Sequence, residues 1–479
     1  MSHPSFSRNT FVYLVGGAVT AGANILLAPV YLRVLSPAEF GTWSAFNLML
    51  QFVQPILCLG LLASMSRLAV QAQASDRARL IGSSIQLSSL FGIVAIGLTV
   101  VSLQAGAASV IGIFLPGEMV TLVVICAAFT AYPNALLGLH VADGNALGYR
   151  SLGLLAFTAQ AIVLLAASAG PTMDARVAAL ALVVSTAFCS AFAFLKLARQ
   201  ADWRATVEPA KRLVAFGIPV VLYTMAGQFS DLTTRYVMSI HSDKAQFGEL
   251  SAGLIYASIV AMVASAGNLA WVPLFYRHAP EWLANGVYSQ FVDVSTAATA
   301  LFAAFLTIFS AEMIYLYSGG MILLPPQIVA VLVMSAWMNS SVWVGLSNPL
   351  FFEQRTRTVL AIALLSMAVC VPLSFLLVPR FAIVGAVATL WLNALLMSVL
   401  AALNLRRLGF PALNYVRLVL LLFLLGGVCG PMTILIDQQE VGSGKLIEKI
   451  ALLLIVAGTL SAISWRSAIS VFRAIEKRK

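Results

Sequence analysis

Apolar residues in this chain gather in long runs, separated by short polar stretches, from one end to the other. A helix that crosses a bilayer needs roughly 20 mainly apolar residues. About fourteen stretches meet that length: 9–34, 42–66, 80–103, 119–141, 151–170, 177–197, 213–238, 249–276, 287–317, 326–351, 358–378, 381–404, 415–436 and 447–468. The pattern predicts an all-α integral membrane protein, because a helix satisfies its own backbone groups in lipid. The first run exceeds signal-peptide length and is read as a retained helix.

Polar residues inside these runs are costly unless they face a partner or a wet cavity, so their phase along the helix carries information. In the seventh span Thr224, Gln228, Asp231 and Arg235 recur at i, i+4, i+7 and i+11, which is one face. The second span repeats this with Trp43, Asn47, Gln51 and Gln54, and the first with Tyr13, Gly17, Thr20 and Asn24. Two readings stay open. Such residues can hydrogen-bond neighbouring helices, each bond worth on the order of 1 kcal/mol, or they can line a central cavity.

Asp231 and Arg235 form the sharpest candidate. At i and i+4 they can neutralise each other as a structural ion pair. Alternatively, Arg235 offers its planar donor fork to a phosphate or an acidic sugar. Asp231 then holds it when empty or takes up a coupling proton. Arg67 and Arg33 could add positive potential at the two mouths, although Arg33 reads better as an interface anchor. Asp293 and Glu312, toward opposite ends of the ninth span, are weaker candidates for proton or cation coupling.

Charge gives the spans a direction. Twenty-one of the 28 Lys and Arg residues fall in alternate loops and at the two termini, whereas the intervening loops hold only Arg33, Arg176, Lys244, Arg380, Lys445 and Lys449. By the positive-inside rule both termini are cytoplasmic, and Arg235 is left as the basic residue that the loops do not explain. With 61% hydrophobic and 10% charged residues the chain's solvent is lipid. Its net charge of +10 therefore faces anionic headgroups, and nucleic acid is not expected as a partner.

Several chemistries are excluded. The longest loop, 197–212, leaves no room for a catalytic module, so no enzyme activity and no cofactor are expected. Cys58, Cys126, Cys189, Cys370 and Cys429 all lie in spans without CxxC spacing. The four His residues lack ligand spacing, so no metal is expected. Gly442-Ser443-Gly444-Lys445 fails as a phosphate loop because Gln439 and Leu446 break the pattern. Asn339-Ser340-Ser341 is a glycosylation sequon inside a span and is read as meaningless.

An offset of 207 residues aligns Phe40-Gly41-x-x-Ser44-Ala45 with Phe247-Gly248-x-x-Ser251-Ala252, and it aligns spans one to six with seven to twelve. An even number of spans keeps both halves in one orientation, a parallel repeat. The expected organisation is two six-helix lobes, 1–205 and 206–410, followed by two C-terminal helices and a basic tail, 411–479.

Arg8-Asn9 ahead of a long helix, then Arg33-Val34-Leu35-Ser36-Pro37-Ala38-Glu39-Phe40-Gly41, resembles the amino-terminal signature of bacterial polysaccharide flippases. Phe216-Gly217-Ile218-Pro219 and Pro379-Arg380-Phe381-Ala382-Ile383-Val384-Gly385-Ala386 are similar to that family's Phe-Gly-x-Pro and Pro-x-x-Gly-x-x-Gly-Ala patterns. Two positions depart from the family. Thr234 precedes Arg235 where an Asp is common, and Ala382 stands where Gly is favoured, which is read as a minor packing change.

The resemblance implies the fold of the multidrug/oligosaccharidyl-lipid/polysaccharide exporter superfamily. It also implies an inner-membrane protein that flips an undecaprenyl-diphosphate-linked oligosaccharide by alternating access, with a polysaccharide polymerase or co-polymerase as a possible partner. On that implication Asn24, Asn47, Gln51 and Gln54 address the sugar, Trp43 stacks on it, and Arg235 takes the phosphate. A drug or cation antiporter of the same superfamily is the alternative, for which an acidic cavity is expected. A membrane glycosyltransferase or polymerase fits poorly with loops this short.

Overall fold

The computed structural model describes residues 25–105, 115–170, 173–204, 207–320, 324–353, 355–409 and 443–476, with a few positions between 420 and 431. The protein is all-α. Its described helices are α1 (Ile25–Val34), α2 (Pro37–Leu57), α3 (Leu61–Gln71), α4 (Ala74–Gln104), α5 (Gly117–Ala142), α6 (Ala146–Ser168), α7 (Ala175–Ala198) and α8 (Val207–His241). They continue with α9 (Lys244–Ala284), α10 (Val287–Ile308), α11 (Ser310–Ser318), α12 (Pro326–Trp337), a π-helical turn (Met338–Trp343), α13 (Val344–Phe352), α14 (Thr356–Arg407) and α15 (Ser443–Glu476). Ten helical stretches among the described residues are long and apolar enough to cross a membrane, and one of them, Arg357–Arg407, has the length of two spans.

The chain divides into two compact units, Met1–Gly248 and Glu249–Lys479. In the first, half of the most apolar window of α5 is buried against other helices, but only 17% of that of α6 and 22% of that of α4. Leu90, Ile93 and Leu98 of α4 and Ile162 and Leu165 of α6 are exposed. These helices therefore form the lipid-facing rim around a core that Leu61, Met65, Leu80, Ala135 and Leu136 help to build. In the second unit α10 takes the central role and α15 packs along it while exposing Leu454, Ile455 and Trp465.

The Leu-Ser-Pro-Ala-Glu-Phe-Gly stretch explains itself residue by residue. Ser36 caps α2 by accepting the Glu39 amide, Pro37 takes the first helical position where no amide hydrogen is needed, and Phe40 is fully buried. Glu39 reaches across to the start of α7, where Oε2 accepts the Ala175 amide at 2.7 Å beside the capping Asp174. Gly41 lies so close to the carbonyl of Lys244 that a side chain would overlap it, and a Cβ on Gly248 would lie 2.6 Å from the Pro37 oxygen. The two Phe-Gly pairs of the repeat thus face each other.

At the opposite end of this unit the loops interlock through charge. Arg212 forms a bidentate pair with Asp76, at 2.6 and 3.1 Å, and these bonds raise the Arg212 pKa above its usual value. Arg77 pairs with Asp143, and Arg79 with Asp202 at 3.6 Å. The loop after α7 is shorter than its polar sequence predicts, because α8 already starts at Val207. Glu208 and Pro209 suit a first helical turn, the carboxylate by the helix dipole and the proline by its missing donor. Asp202 donates its amide to Ala78, so the loop lies along α4.

α14 is a hairpin. Ser366 donates to Asn393 at 2.6 Å, and Gly385 abuts the carbonyl of Leu377, so its two arms run antiparallel. The turn is made at Ala382, with φ 46° and ψ −122°. A residue with a Cβ strains there, a region that glycine occupies freely. The Gly-to-Ala departure at this position is therefore a backbone matter, not the minor packing change expected from sequence. The ninth span also differs, because it breaks at Phe309 into α10 and α11.

Candidate functional site

Four contacts in the first unit, three of them on α2 or its junction with α3 and one on α3, set α2–α3 antiparallel to α8. The junction between α2 and α3 is a true helix break, with Leu59 at φ 48° and Gly60 at φ 63°. Gly217 of the Phe-Gly-Ile-Pro motif fits against it: a Cβ there would overlap the Leu59 carbonyl. On the α3 side of this junction, Arg67 lies with its guanidinium 5.0 Å from the centre of the Phe216 ring. On the α2 side the second contact is Phe52, which meets Phe229 edge-on at 6.3 Å. The third contact is Gly41 against Lys244, just past the end of α8.

This register sets α2 alongside α8 and fixes which residues of the two helices lie at the same level. Gln51 and Gln228 flank the Phe52–Phe229 contact and are both exposed, whereas Gln54 is half-buried. Asn47 falls near the level of Arg235, between the second contact and the third. Arg235 is half-buried, and its Nε is buried with no hydrogen-bond partner among the described residues. Asp231, one turn earlier on the same face, is its neighbouring charge. From Arg235 to the end of the helix at His241 is about 9 Å at 1.5 Å per residue. The guanidinium therefore lies near the end of α8 opposite to the Asp76–Arg212 cluster.

Other candidates are arranged differently. Trp43 is 4% exposed and stacked on Tyr31, with ring centroids 4.2 Å apart, and Phe40 packs at 5.5 Å. Its ring is part of an aromatic core and offers no face to a sugar, which corrects the stacking role expected of it. Asn47 donates to the Trp43 carbonyl of its own helix at 2.9 Å, which leaves its amide oxygen for other partners. Arg33 is exposed near the end of α1. Asn24, with Tyr13, Gly17 and Thr20, lies outside the described residues. Asp293 is half-buried in α10.

Sequence reasoning missed a second internal cation. Lys449 counts with the loops in the charge pattern, but it lies in α15 with a fully buried side chain, 2.6 Å from Glu312 of α11. Its position inside the fourteenth apolar run, 447–468, was the available signal.

Comparison of the whole structure with solved ones is decisive for the fold. The lipid II flippase MurJ, in an inward closed conformation, superposes with a TM-score of 0.65 over 98% of this chain and 100% of its own, at 13% identity. This chain has the flippase's fold. A multidrug resistance MATE family transporter of the MOP superfamily, in an outward-facing conformation, matches at TM-score 0.59 over 83% of this chain and 95% of its own, at 13% identity. A MOP superfamily transporter from Pyrococcus furiosus gives 0.57 over 84% and 96%, at 12% identity. No protein-family model matches the chain, and no curated protein matches its sequence. The shared architecture is that of multi-pass membrane transporters.

Proposed function

We propose that this chain is a bacterial inner-membrane flippase. It carries an undecaprenyl-diphosphate-linked oligosaccharide from the cytoplasmic to the periplasmic leaflet by alternating access between lobes 1–205 and 206–410. The basic end of the first unit, with both termini, faces the cytoplasm. The observation that carries this reading is Arg235, a half-buried cation on the polar face of α8 whose Nε has no hydrogen-bond partner among the described residues. A pyrophosphate needs such a donor fork. Gln228 and Gln51, about two helical turns away along α8, supply amides for sugar hydroxyls, Arg67 adds positive potential at the inner mouth, and the lipid tail stays in the bilayer.

The extent of the fold match adds support. The lipid II flippase covers 98% of the chain, whereas the two transporters compared above cover 83% and 84%. The same fold in MATE transporters favours one competing reading, a drug or cation antiporter in which Asp231 or Asp293 couples the ion.

The decisive experiment compares a deletion strain complemented with the parent chain, with Arg235→Ala and with Arg235→Lys. Loss of surface polysaccharide with Arg235→Ala at unchanged protein level, and partial return with Lys, supports the flippase. Normal polysaccharide with Arg235→Ala, or drug sensitivity as the sole phenotype of the deletion, overturns it.

A further inference from the structure

The second unit contains a cavity of about 410 Å³ between α9, α10 and the π-helical turn that leads into α13. Its size falls within the range of small-molecule sites, roughly 300–1,000 Å³. Among the described residues, no Asp, Glu, Lys, Arg or His lines it. The wall is mainly apolar, with Val263, Phe291 and Val344 among its residues, and its polar groups gather on facing helices.

The state of those polar groups specifies what they can bind. Ser295, Thr299 and Ser340 each donate their hydroxyl hydrogen to a carbonyl of their own helix, at 3.1, 2.8 and 2.6 Å. Thr299 also accepts the Trp337 indole N–H at 3.2 Å, so the acceptor capacity left to address donors in a ligand lies mainly on Ser295 and Ser340. Asn348 donates to Asn268 at 2.9 Å, which leaves the Asn268 amide hydrogens and an Asn348 lone pair for a further partner. Ser341 is the exception. It is 91% buried, and its Oγ has no hydrogen-bond partner among the described residues. A buried hydroxyl without a partner is unfavourable, and a ligand group that bonded it would relieve that cost.

The local backbone agrees. Ser340 and Ser341 lie within the π-helical turn, Met338–Trp343, a geometry that recurs at functional sites. The widened turn brings two consecutive serines and, after it, Gly345 to the same cavity.

We propose that this cavity binds an uncharged amphiphile, an apolar body carrying a hydroxylated head, with the head hydrogen-bonded to Ser341, Ser340 and the Asn268–Asn348 pair. An anion finds no cation there and meets acceptor lone pairs. A cation finds acceptors but no carboxylate to offset its desolvation. A hydroxyl both donates to the committed serines and accepts from Ser341. The site lies wholly within the second unit and is independent of the role assigned to Arg235.

The test uses the full-length chain in membrane vesicles. Ser341→Cys introduces a thiol on the cavity wall, and its labelling by N-ethylmaleimide is followed by mass spectrometry against the parent chain. Hexyl β-glucoside, hexyl phosphate and hexyltrimethylammonium share one apolar chain and differ in the head. The glucoside is expected to slow labelling about fivefold or more, equivalent to about 1 kcal/mol of occupancy, while the two charged compounds leave it unchanged. Equal slowing by all three, greater slowing by the ammonium compound, or no slowing by any overturns the proposal. Vesicles containing a dialkyl glucoside, without added hexyl glucoside, show whether the bilayer itself supplies the ligand. If the first variant does not accumulate, Ser340→Cys on the same turn gives the same readout.

Discussion

Lys449 holds its Nζ 2.6 Å from Glu312 Oε1 with its own side chain 0% exposed, while the carboxylate remains half-exposed. The pair ties α15 to α11 with a charge that has left water entirely on one side only. A buried ammonium is tolerated through its counter-charge, and removing that partner costs about 3–5 kcal/mol in a fully buried pair.

Glu312→Gln is therefore expected to lower the thermal midpoint of the purified protein. Half-exposure of the carboxylate puts the effect below that range, at about 2 kcal/mol. The double variant Glu312→Gln/Lys449→Met should recover most of the loss, because it removes the stranded cation as well. Equal midpoints for the single and double variants would refute a buried ion pair as the tie.

Ala382 and Gly385 make opposite predictions within one turn. Ala382→Gly relieves a positive φ and should raise stability by about 1 kcal/mol. Gly385→Ala drives a Cβ into the Leu377 carbonyl, which no rotamer change avoids, and should cost about 3 kcal/mol or more. Denaturation of both variants in the same detergent provides the comparison, and a destabilising Ala382→Gly would count against the strained turn.

Gly217 is predicted to be intolerant of alanine for a reason that lies on another helix. The added Cβ meets the Leu59 backbone at the α2–α3 break. Gly217→Ala should lower the folded fraction measured by size-exclusion chromatography. The neighbouring change Ile218→Ala, at a 45% exposed position, should not.

Asp76 and Arg212 mark the other extreme. Their side chains are 33% and 39% exposed, so the bidentate pair is worth under about 1 kcal/mol and weakens with salt. Asp76→Asn should shift the thermal midpoint slightly at low ionic strength and not at all at high. A large, salt-independent loss would show that the contact does more than pair charges.

Much of the fold could be read from the chain because lipid imposes it locally. Run length, loop charge and turn residues each act over a few positions, and the ends of α4, α5, α7 and α8 meet through the very loops that carry the basic residues. The Leu-Ser-Pro-Ala-Glu-Phe-Gly motif likewise announced a helix start. What was not legible depends on neighbours far away in sequence. Trp43 has the phase of a cavity residue, yet Tyr31 and Phe40 enclose it. Asn339-Ser340-Ser341 reads in the sequence as a meaningless sequon, but two of its residues line a cavity once the helix widens. Lys449 was hidden by its closeness to a loop, since a count of charges by segment cannot tell a snorkelling end from a buried one.

The one-residue turn at Ala382 has a consequence for motion. Two membrane spans joined by so short a link, with Gly385 against Leu377 and Ser366 bonded to Asn393, have no slack to separate or slide. In any rearrangement of the second unit, α14 is therefore expected to move as one rigid pair of antiparallel helices, two helices wide and one span long.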